Sequence, residues 1–152
     1  MKRWWLYLAA AVLVLLLPKG QEMDIAKLKP VELLYVYKEA GEFAIQTDTE
    51  DSGRGETPVE ALADMRHSAD GEIFLETVDY VLVSEQAKTA VLELKELLRP
   101  STKIVLASGA VEVKSAAAYL AVHKPEVTVI GWEQGSEELP KLMTVGERYY
   151  LE

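Results

Sequence analysis

Residues 80–108 read YVLVSEQAKTAVLELKELLRPSTKIVLAS and contain two short apolar runs separated by an amphipathic segment. The runs Tyr80–Ser84 and Lys103–Ala107 have the length and composition of buried central strands. Between them, Glu85–Arg99 carries apolar residues at helical spacing and ends at Pro100. The stretch therefore predicts a strand–helix–strand unit. The apolar stripe of its helix consists of Ala87, Val91, Leu94 and Leu98.

Upstream of this unit, the sequence predicts an antiparallel hairpin. Glu32–Glu39 is rich in aromatic and aliphatic residues, and Glu42–Thr49 alternates between two faces. Ala40-Gly41 between them is a turn signal. The following Glu50–Glu56 contains two glycines and a serine, which predicts a loop.

A helix is predicted to begin after Thr57 and to run to about Ser68. Thr57 stands at the N-cap, Pro58 at the first helical position, and Glu60 at the spacing of a capping box. The apolar positions at helical spacing are Val59, Leu62 and Met65.

Further elements are predicted on both sides of the central unit. Ile73–Leu75 begins a short strand, Glu112–His123 forms a helix ended by Pro125, and Val127–Ile130 is the last strand. Tyr149–Leu151 is either a terminal strand or a loose tail.

The fold class that follows is a small α/β domain. Strands that alternate with helices favour a sheet with parallel pairing, and the hairpin makes that sheet mixed. We interpret residues 1–20 as a signal anchor or signal peptide that forms an apolar helix, 21–30 as a linker, 31–131 as the α/β domain, and 132–152 as a C-terminal tail.

The first residues have the pattern of an export signal. Lys2 and Arg3 precede Trp4–Leu17, which is uninterrupted apolar sequence. Fourteen helical residues span about 21 Å, less than the roughly 30 Å of a hydrocarbon core. The exit at Pro18–Gly20 is a poor cleavage site. An uncleaved anchor and a cleaved signal peptide remain alternatives, and both place the domain outside the cytoplasm.

Charge and composition exclude several classes of protein. The chain has 152 residues and a formal net charge of −9. Three of its 16 basic residues lie in the first 20 positions, so the remainder opposes 13 basic to 25 acidic side chains. Such a domain is repelled by phosphate backbones, which argues against a nucleic-acid partner. The absence of Cys excludes a disulfide scaffold and is consistent with export.

Residues 48–56 form an acidic segment that resembles a loop for hard cations. Asp48, Glu50 and Asp51 precede Arg54, but an EF-hand that starts at Asp48 would have Val59 at its twelfth position. The glycines also lack the pattern of a phosphate loop. The sequence therefore favours a solvated acidic loop.

Nucleophiles and metal ligands are scarce in the sequence. The two histidines, His67 and His123, lie near the ends of predicted helices, where a protonated imidazole interacts favourably with the helix dipole. With no Cys and two His, a zinc site is excluded in practice. We predict no catalytic residue, no cofactor and no metal.

The ends of the predicted strands carry the other candidate binding residues. Ser84 and Ser108-Gly109 follow central strands, and Trp132 follows the last predicted strand. Open α/β sheets usually bind ligands at the carboxyl ends of their strands. Ser84 is also a candidate cap for the next helix, and Trp132 is a candidate partner contact.

Part of the chain resembles the N-terminal domain of the spore germination receptor C subunits, the Ger(x)C family. The matching segments, in the family's order, are Glu56-Thr57, Glu60–Leu62, Asp79–Ala87, Leu98–Pro100, Lys103–Gly109 and Ala116–Leu120. Members resemble lipoproteins with a lipobox Cys and carry further domains. This chain has no Cys, so an apolar anchor would replace the lipid. The resemblance implies a membrane-associated role and offers no catalytic residues.

Two hypotheses follow from the sequence. The first is a membrane-anchored, extracytoplasmic, non-catalytic interaction domain related to spore germination, which contacts other membrane or envelope proteins through its sheet edges and residues 48–56. The alternative is an exported domain that binds a small molecule or a cation at the acidic loop and the strand ends.

Overall fold

A computed structural model describes residues 28–135 and 138–152, which form a mixed α/β fold around a seven-stranded sheet. The predicted apolar helix in residues 1–20, and residues 21–27 of the predicted linker, lie outside the described residues. Within the described ranges, no helix has the length and apolar character needed to cross a membrane.

The strands are β1 Leu28–Pro30, β2 Leu33–Glu39, β3 Glu42–Thr47, β4 Ser52–Gly55, β5 Glu72–Phe74, β6 Tyr80–Ser84, β7 Lys103–Ser108, β8 Lys141–Val145 and β9 Arg148–Leu151. The helices are α1 Pro58–Ser68, α2 Val113–His123 and α3 Val129–Glu133, with 3₁₀ segments at Leu75–Thr77 and Ala90–Leu97. The order in the main sheet is β4-β3-β2-β6-β7-β8-β9, and β1 pairs separately with β5.

The predicted hairpin is confirmed. Strands β2 and β3 pair antiparallel from Leu34↔Thr47 to Glu39↔Glu42. The turn residues Ala40 and Gly41 have φ of 51° and 94°. Positive φ at both positions is the geometry of a type I′ turn, whose twist matches that of the two strands.

The sequence predicts a loop over residues 50–56. Within this range, Ser52–Gly55 instead forms strand β4. This strand pairs antiparallel with β3, and helix α1 packs against it. Gly53 and Gly55 lie so close to α1 that a side chain at either position would overlap the helix backbone. Glycine is needed for that approach. Because glycine has no side chain, Gly53 and Gly55 also interrupt the alternation of polar and apolar residues by which a strand is predicted.

Helix α1 begins as predicted. The Thr57 side chain accepts a hydrogen bond from the Glu60 N–H at 3.2 Å, and the Glu60 carboxylate accepts one from the Glu56 N–H at 3.0 Å. Leu62 and Met65 are buried against the sheet, whereas Val59 is 45% exposed. Val59, at helical spacing with them, is therefore not part of the buried face of α1.

Strand β6 is the middle strand of the sheet, and β2, β6, β7 and β8 run parallel. One face, which we call the α1 face, packs against α1, the Ala90–Leu97 segment and α3, and its strand residues include Val81, Val83, Ile104 and Leu106. The opposite α2 face packs against α2 and includes Leu82, Val105, Ala107 and Leu142.

The predicted helix over 85–99 is instead a series of turns followed by a 3₁₀ helix. The predicted stripe is nevertheless buried at all four positions, including Leu94 at 1% exposure. Hydrogen bonds from Ala87 N–H to Ser84 and from Leu92 N–H to Thr89 span three residues rather than four. Apolar spacings of three and four residues fit both helix types, so the periodicity does not separate them.

The strand predicted at Val127–Ile130 is wrong. Thr128 makes only an isolated bridge to Lys103, after which the chain turns into helix α3. The Thr128 side chain accepts a hydrogen bond from the Gly131 N–H at 2.9 Å and so caps this helix. A run of β-branched residues predicted a strand here, but its threonine acts as an N-cap.

The sheet continues past the boundary predicted at residue 131. Strand β8 pairs parallel with β7, and β9 pairs antiparallel with β8 from Leu142↔Leu151 to Val145↔Arg148. Of the two alternatives for Tyr149–Leu151, the structure contains the strand. Strand β1 likewise lies inside the predicted linker.

Candidate functional site

The acidic carboxylates of residues 48–51 are largely engaged within the fold. One Asp48 oxygen accepts hydrogen bonds from the N–H groups of Glu32 and Leu33, both at 3.1 Å. Asp48 thereby holds the end of the hairpin against the start of β2.

Asp51 pairs with a cation of the chain itself. Its carboxylate accepts hydrogen bonds from Lys29 Nζ at 3.0 Å and from the Thr49 hydroxyl at 2.8 Å, and its side chain is only 9% exposed. Glu50 is exposed at the tip, with φ of 69°. A lysine ammonium beside Asp51 opposes the approach of a second cation. The three predicted residues therefore divide into two structural carboxylates and one solvated one.

We expect Asp48→Ala to lower the free energy of unfolding by about 1–3 kcal/mol, because two main-chain N–H groups lose their acceptor. Glu50→Ala removes an equal charge from the same loop and should change stability by less than about 0.5 kcal/mol. Urea unfolding of the full chain, followed by circular dichroism, measures both. Equal effects of the two substitutions would contradict the structural role of Asp48.

Arg54 lies on β4, at one edge of the main sheet. Its guanidinium pairs with Glu39, while its main-chain N–H donates to Asp64 of α1 at 2.9 Å. The Ser68 hydroxyl, also on α1, donates back to its own helix, where the Asp64 and Met65 carbonyl oxygens lie 3.1 Å away, and its oxygen lies 3.4 Å from the Ser52 carbonyl oxygen. Asp64 thus occupies an outward N–H of β4 and the Ser68 side chain lies against the same edge, which obstructs the addition of another strand.

The predicted strand-end residues do not converge on one site. Ser84 pairs in register with Ala107, on the α2 face, and its hydroxyl is buried without a hydrogen-bond partner among the described residues. It does not cap the following segment. Ser108 is one residue further along β7, so its exposed side chain points to the α1 face. Gly109, with φ of 109°, begins the turn after β7.

Trp132 lines a cleft on the α1 face. It lies on α3, is half-buried and packs against the core of that face. The cleft has a volume of about 420 Å³. Its other lining residues are Glu85, Lys88, Leu106, Glu138, Leu139 and Lys141. Of the predicted strand-end group, Trp132 alone is at this cleft.

A second cavity, of about 480 Å³, lies between the start of α2 and the β8–β9 hairpin. The Glu112 carboxylate accepts hydrogen bonds from the N–H groups of Lys114 at 3.1 Å and Ser115 at 2.7 Å. The Tyr149 hydroxyl accepts from the Glu112 N–H and donates to its carbonyl. Hydrogen bonds from Ser115 are the main cause that lowers the pKa of the Glu112 carboxyl.

The lowered pKa makes the contribution of Glu112 to stability pH-dependent. A depressed folded-state pKa stabilises the protein above the ordinary glutamate range, and this contribution is lost as pH falls through the folded-state pKa. Because Glu112 is exposed and solvent screens its charge, we expect Glu112→Gln to lower the free energy of unfolding by at most about 0.5 kcal/mol near neutral pH and by less below about pH 4. Urea unfolding of both proteins across this range is the measurement. A difference that stays constant with pH would contradict it.

The β8–β9 hairpin exposes apolar side chains that the sequence interpretation missed. Val145 is 61% and Tyr150 45% exposed, and Met143 is half-exposed beside them. These three residues alternate onto the α1 face, and Tyr150 pairs in register with Met143. We call Met143, Val145 and Tyr150 the exposed patch.

Strand β9 forms the other edge of the main sheet and is open. Lys141 and Glu152 exchange both main-chain hydrogen bonds, so the N–H and C=O groups of Tyr149 and Leu151 point away from β8. None of these outward groups has a partner within residues 28–135 and 138–152. We call this row of groups the open edge.

Titratable groups in the described ranges do not gather into a ligand set. No three His, Cys, Asp or Glu side chains among these residues are close enough to hold a metal ion. His123 stacks on Tyr119 with ring centroids 3.8 Å apart, and its Nδ1 lies 2.9 Å from the Tyr119 carbonyl oxygen. His67 is exposed in the last turn of α1.

Comparison with known proteins finds no significant match to this chain among family models, curated proteins or solved structures.

Proposed function

We propose that this chain is a non-catalytic interaction domain held at the outer side of a membrane, where it contacts membrane or envelope proteins. The observation that carries the proposal is the contrast between the two edges of the main sheet. The β4 edge is occupied by Asp64 and Ser68, whereas β9 is an open edge beside the exposed patch.

An open strand edge is a recognised mode of protein association. A strand from a partner adds to the sheet through main-chain hydrogen bonds, and the side chains beside it supply specificity. Soluble proteins usually protect such edges, as β4 is protected in this domain. An aromatic side chain such as Tyr150, 45% exposed next to the edge, is of the type enriched in interfaces.

The proposed location depends on the sequence of the N-terminal segment. Lys2 and Arg3 followed by Trp4–Leu17 are the features of an anchor whose basic end stays in the cytoplasm. The resemblance of residues 32–123 to the Ger(x)C N-terminal domain suggests spore germination as the process in which the domain acts.

The location is tested by labelling. Because the chain has no Cys, Val145→Cys introduces a single thiol at an exposed position. We expect a membrane-impermeant maleimide to label this variant in intact cells. Labelling only after permeabilisation would contradict an external domain. Mass spectrometry of the mature N-terminus distinguishes an intact anchor from a signal peptide removed near Gln21.

The interaction surface is tested by photo-crosslinking in the same cells. A photoreactive amino acid at Tyr150 should give cross-linked products that the same probe at Ser52, an exposed residue of the blocked β4 edge, does not give. Equal cross-linking at the two edges, or none at Tyr150, would contradict the proposed surface.

The Trp132 cleft favours a second candidate, an exported domain that binds a small molecule. An aromatic side chain on the wall of a 420 Å³ cleft, with acidic and basic residues around it, can hold a polar ligand. Saturating ligand would raise the melting temperature of the chain by mass action, and Trp132→Ala would abolish the shift. A small-molecule screen that leaves the melting temperature unchanged would count against this candidate.

A further inference from the structure

We infer that the open edge of β9 pairs with the same strand of a second copy of this chain, antiparallel and centred on Tyr150. This inference rests on the proposed function, since it names the partner of the proposed interaction surface.

The main chain restricts how two β9 strands can pair. Only Tyr149 and Leu151 direct their N–H and C=O groups outward, so these residues must occupy the hydrogen-bonded positions of a new ladder. In an antiparallel pair of identical strands, three registers satisfy this condition. They are centred on Tyr149, on Tyr150 or on Leu151.

Charge selects one of the three registers. With Tyr150 at the centre, Arg148 of each copy lies opposite Glu152 of the other, which forms two symmetric cross-strand ion pairs. The register centred on Tyr149 places Arg148 opposite a tyrosine, and the register centred on Leu151 places Glu152 opposite a tyrosine. Arg148 and Glu152 are both exposed, and neither has an ion pair within the described part of the chain.

Side chains on both faces fit the same register. On the α1 face, Tyr150 meets its own copy across the two-fold axis, and aromatic pairs stabilise antiparallel strands in this position. On the α2 face, Tyr149 of each copy lies opposite Leu151 of the other, and both are half-buried against α2. The pairing adds four main-chain hydrogen bonds, two for each Tyr149–Leu151 pair.

The interface is small, so the contact is weak between free molecules. Contacts of this size belong with transient interactions rather than permanent dimers. Two copies attached to the same membrane have a higher effective concentration than two free molecules, as if a linker joined them. The test is therefore made on the full chain in the membrane.

The first experiment uses Tyr150→Cys as the single cysteine of the chain. Residues that face each other at a non-hydrogen-bonded antiparallel position have Cα atoms about 4.5 Å apart, which lies within the range that a disulfide bridges. We expect mild oxidation of membranes to link two copies at least about tenfold faster for Tyr150→Cys than for Val145→Cys. The control residue Val145 is more exposed, on the same face, but lies on β8 away from the axis.

The second experiment tests the register through the charges. Added to Tyr150→Cys, Arg148→Glu replaces both ion pairs with like-charge pairs and should slow cross-linking about tenfold. Glu152→Arg should have the same effect, and the combination of the two reversals should restore the rate. Each reversal alone leaves the cysteine in place, so a change in thiol exposure does not explain a rescue.

The outcomes separate this inference from the proposed function. Fast linkage of Tyr150→Cys with rescue by the double charge reversal supports self-pairing in the stated register. Linkage no faster than for Val145→Cys overturns self-pairing, and so does linkage that the charge reversals leave unchanged. If self-pairing fails while the photoreactive probe at Tyr150 still cross-links a different protein, the proposed interaction surface stands with another partner. If both fail, both proposals are wrong.

Discussion

A Gly53→Ala variant is expected to lose about 3 kcal/mol or more of folding free energy, a large fraction of the roughly 5–15 kcal/mol by which native proteins are stable. A Cβ at position 53 would overlap the Ala61 carbonyl oxygen and the Met65 main-chain nitrogen. These are backbone atoms of α1, so no rotamer change relieves the overlap. Either α1 moves away from the sheet, or β4 separates from β3.

Ser52→Ala is the matched control for this substitution. Ser52 lies next to Gly53 on the same strand, the residue is exposed, and its hydroxyl has no hydrogen bond within residues 28–135 and 138–152. Its replacement should change stability by less than about 0.5 kcal/mol. Chemical denaturation of the two variants beside the parent chain gives the comparison. A Gly53→Ala protein as stable as the Ser52→Ala protein would contradict the close packing of β4 on α1.

A Leu94→Ala variant is expected to lose about 2–5 kcal/mol, since it leaves a cavity in the core of the α1 face. Leu94 is 1% exposed and lies in the 3₁₀ segment that connects β6 to β7. The sequence interpretation and the structure agree that it is buried, although they differ in the type of helix.

Leu97→Ala is the control, because Leu97 belongs to the same 3₁₀ segment and is 40% exposed. Both substitutions carry the same change in helix propensity, so the difference between them isolates burial. We expect Leu97→Ala to cost less than about 1 kcal/mol. Equal losses of the free energy of unfolding in urea for Leu94→Ala and Leu97→Ala would indicate that a different side of this 3₁₀ segment faces the core.

Elements with strong local signals could be predicted from the sequence. The β2–β3 hairpin has a two-residue turn between patterned strands, and α1 has a threonine cap, a proline and a glutamate at the right spacing. Strands β6 and β7 are short apolar runs bounded by polar residues. In each case the residues that define the element lie next to each other along the chain.

Elements defined by tertiary contacts could not be predicted in this way. Strand β4 has the sequence SGRG, and its identity as a strand depends on pairing with β3 and on contact with α1. Val127–Ile130 has strand composition, but the chain reaches only one bridge to β7 before α3 begins. Contacts distant in sequence make β4 a strand, whereas at Val127–Ile130 the local N-cap at Thr128 begins a helix in place of a strand.

The candidate site was predicted only in part. Trp132 lines a cleft, but Asp48 and Asp51 were expected to be solvated and are structural. The open edge could not be predicted, because local sequence patterns do not determine which strand lies at the edge of the sheet. Once β9 is known to be that strand, the sequence RYYLE shows its own complementarity, with opposite charges two residues on either side of Tyr150.

The asymmetry between the two edges limits how many copies can join. A sheet that grows by strand addition needs two free edges on every molecule, one to attach and one to offer to the next. In this domain Asp64 binds an outward N–H of β4 and Ser68 lies against the same edge, which leaves β9 as the edge that can join a second copy. In the proposed pairing each copy uses that edge, so the assembly ends as a closed pair. The side chains of α1 beside β4 therefore favour a finite pair over continued growth of the sheet.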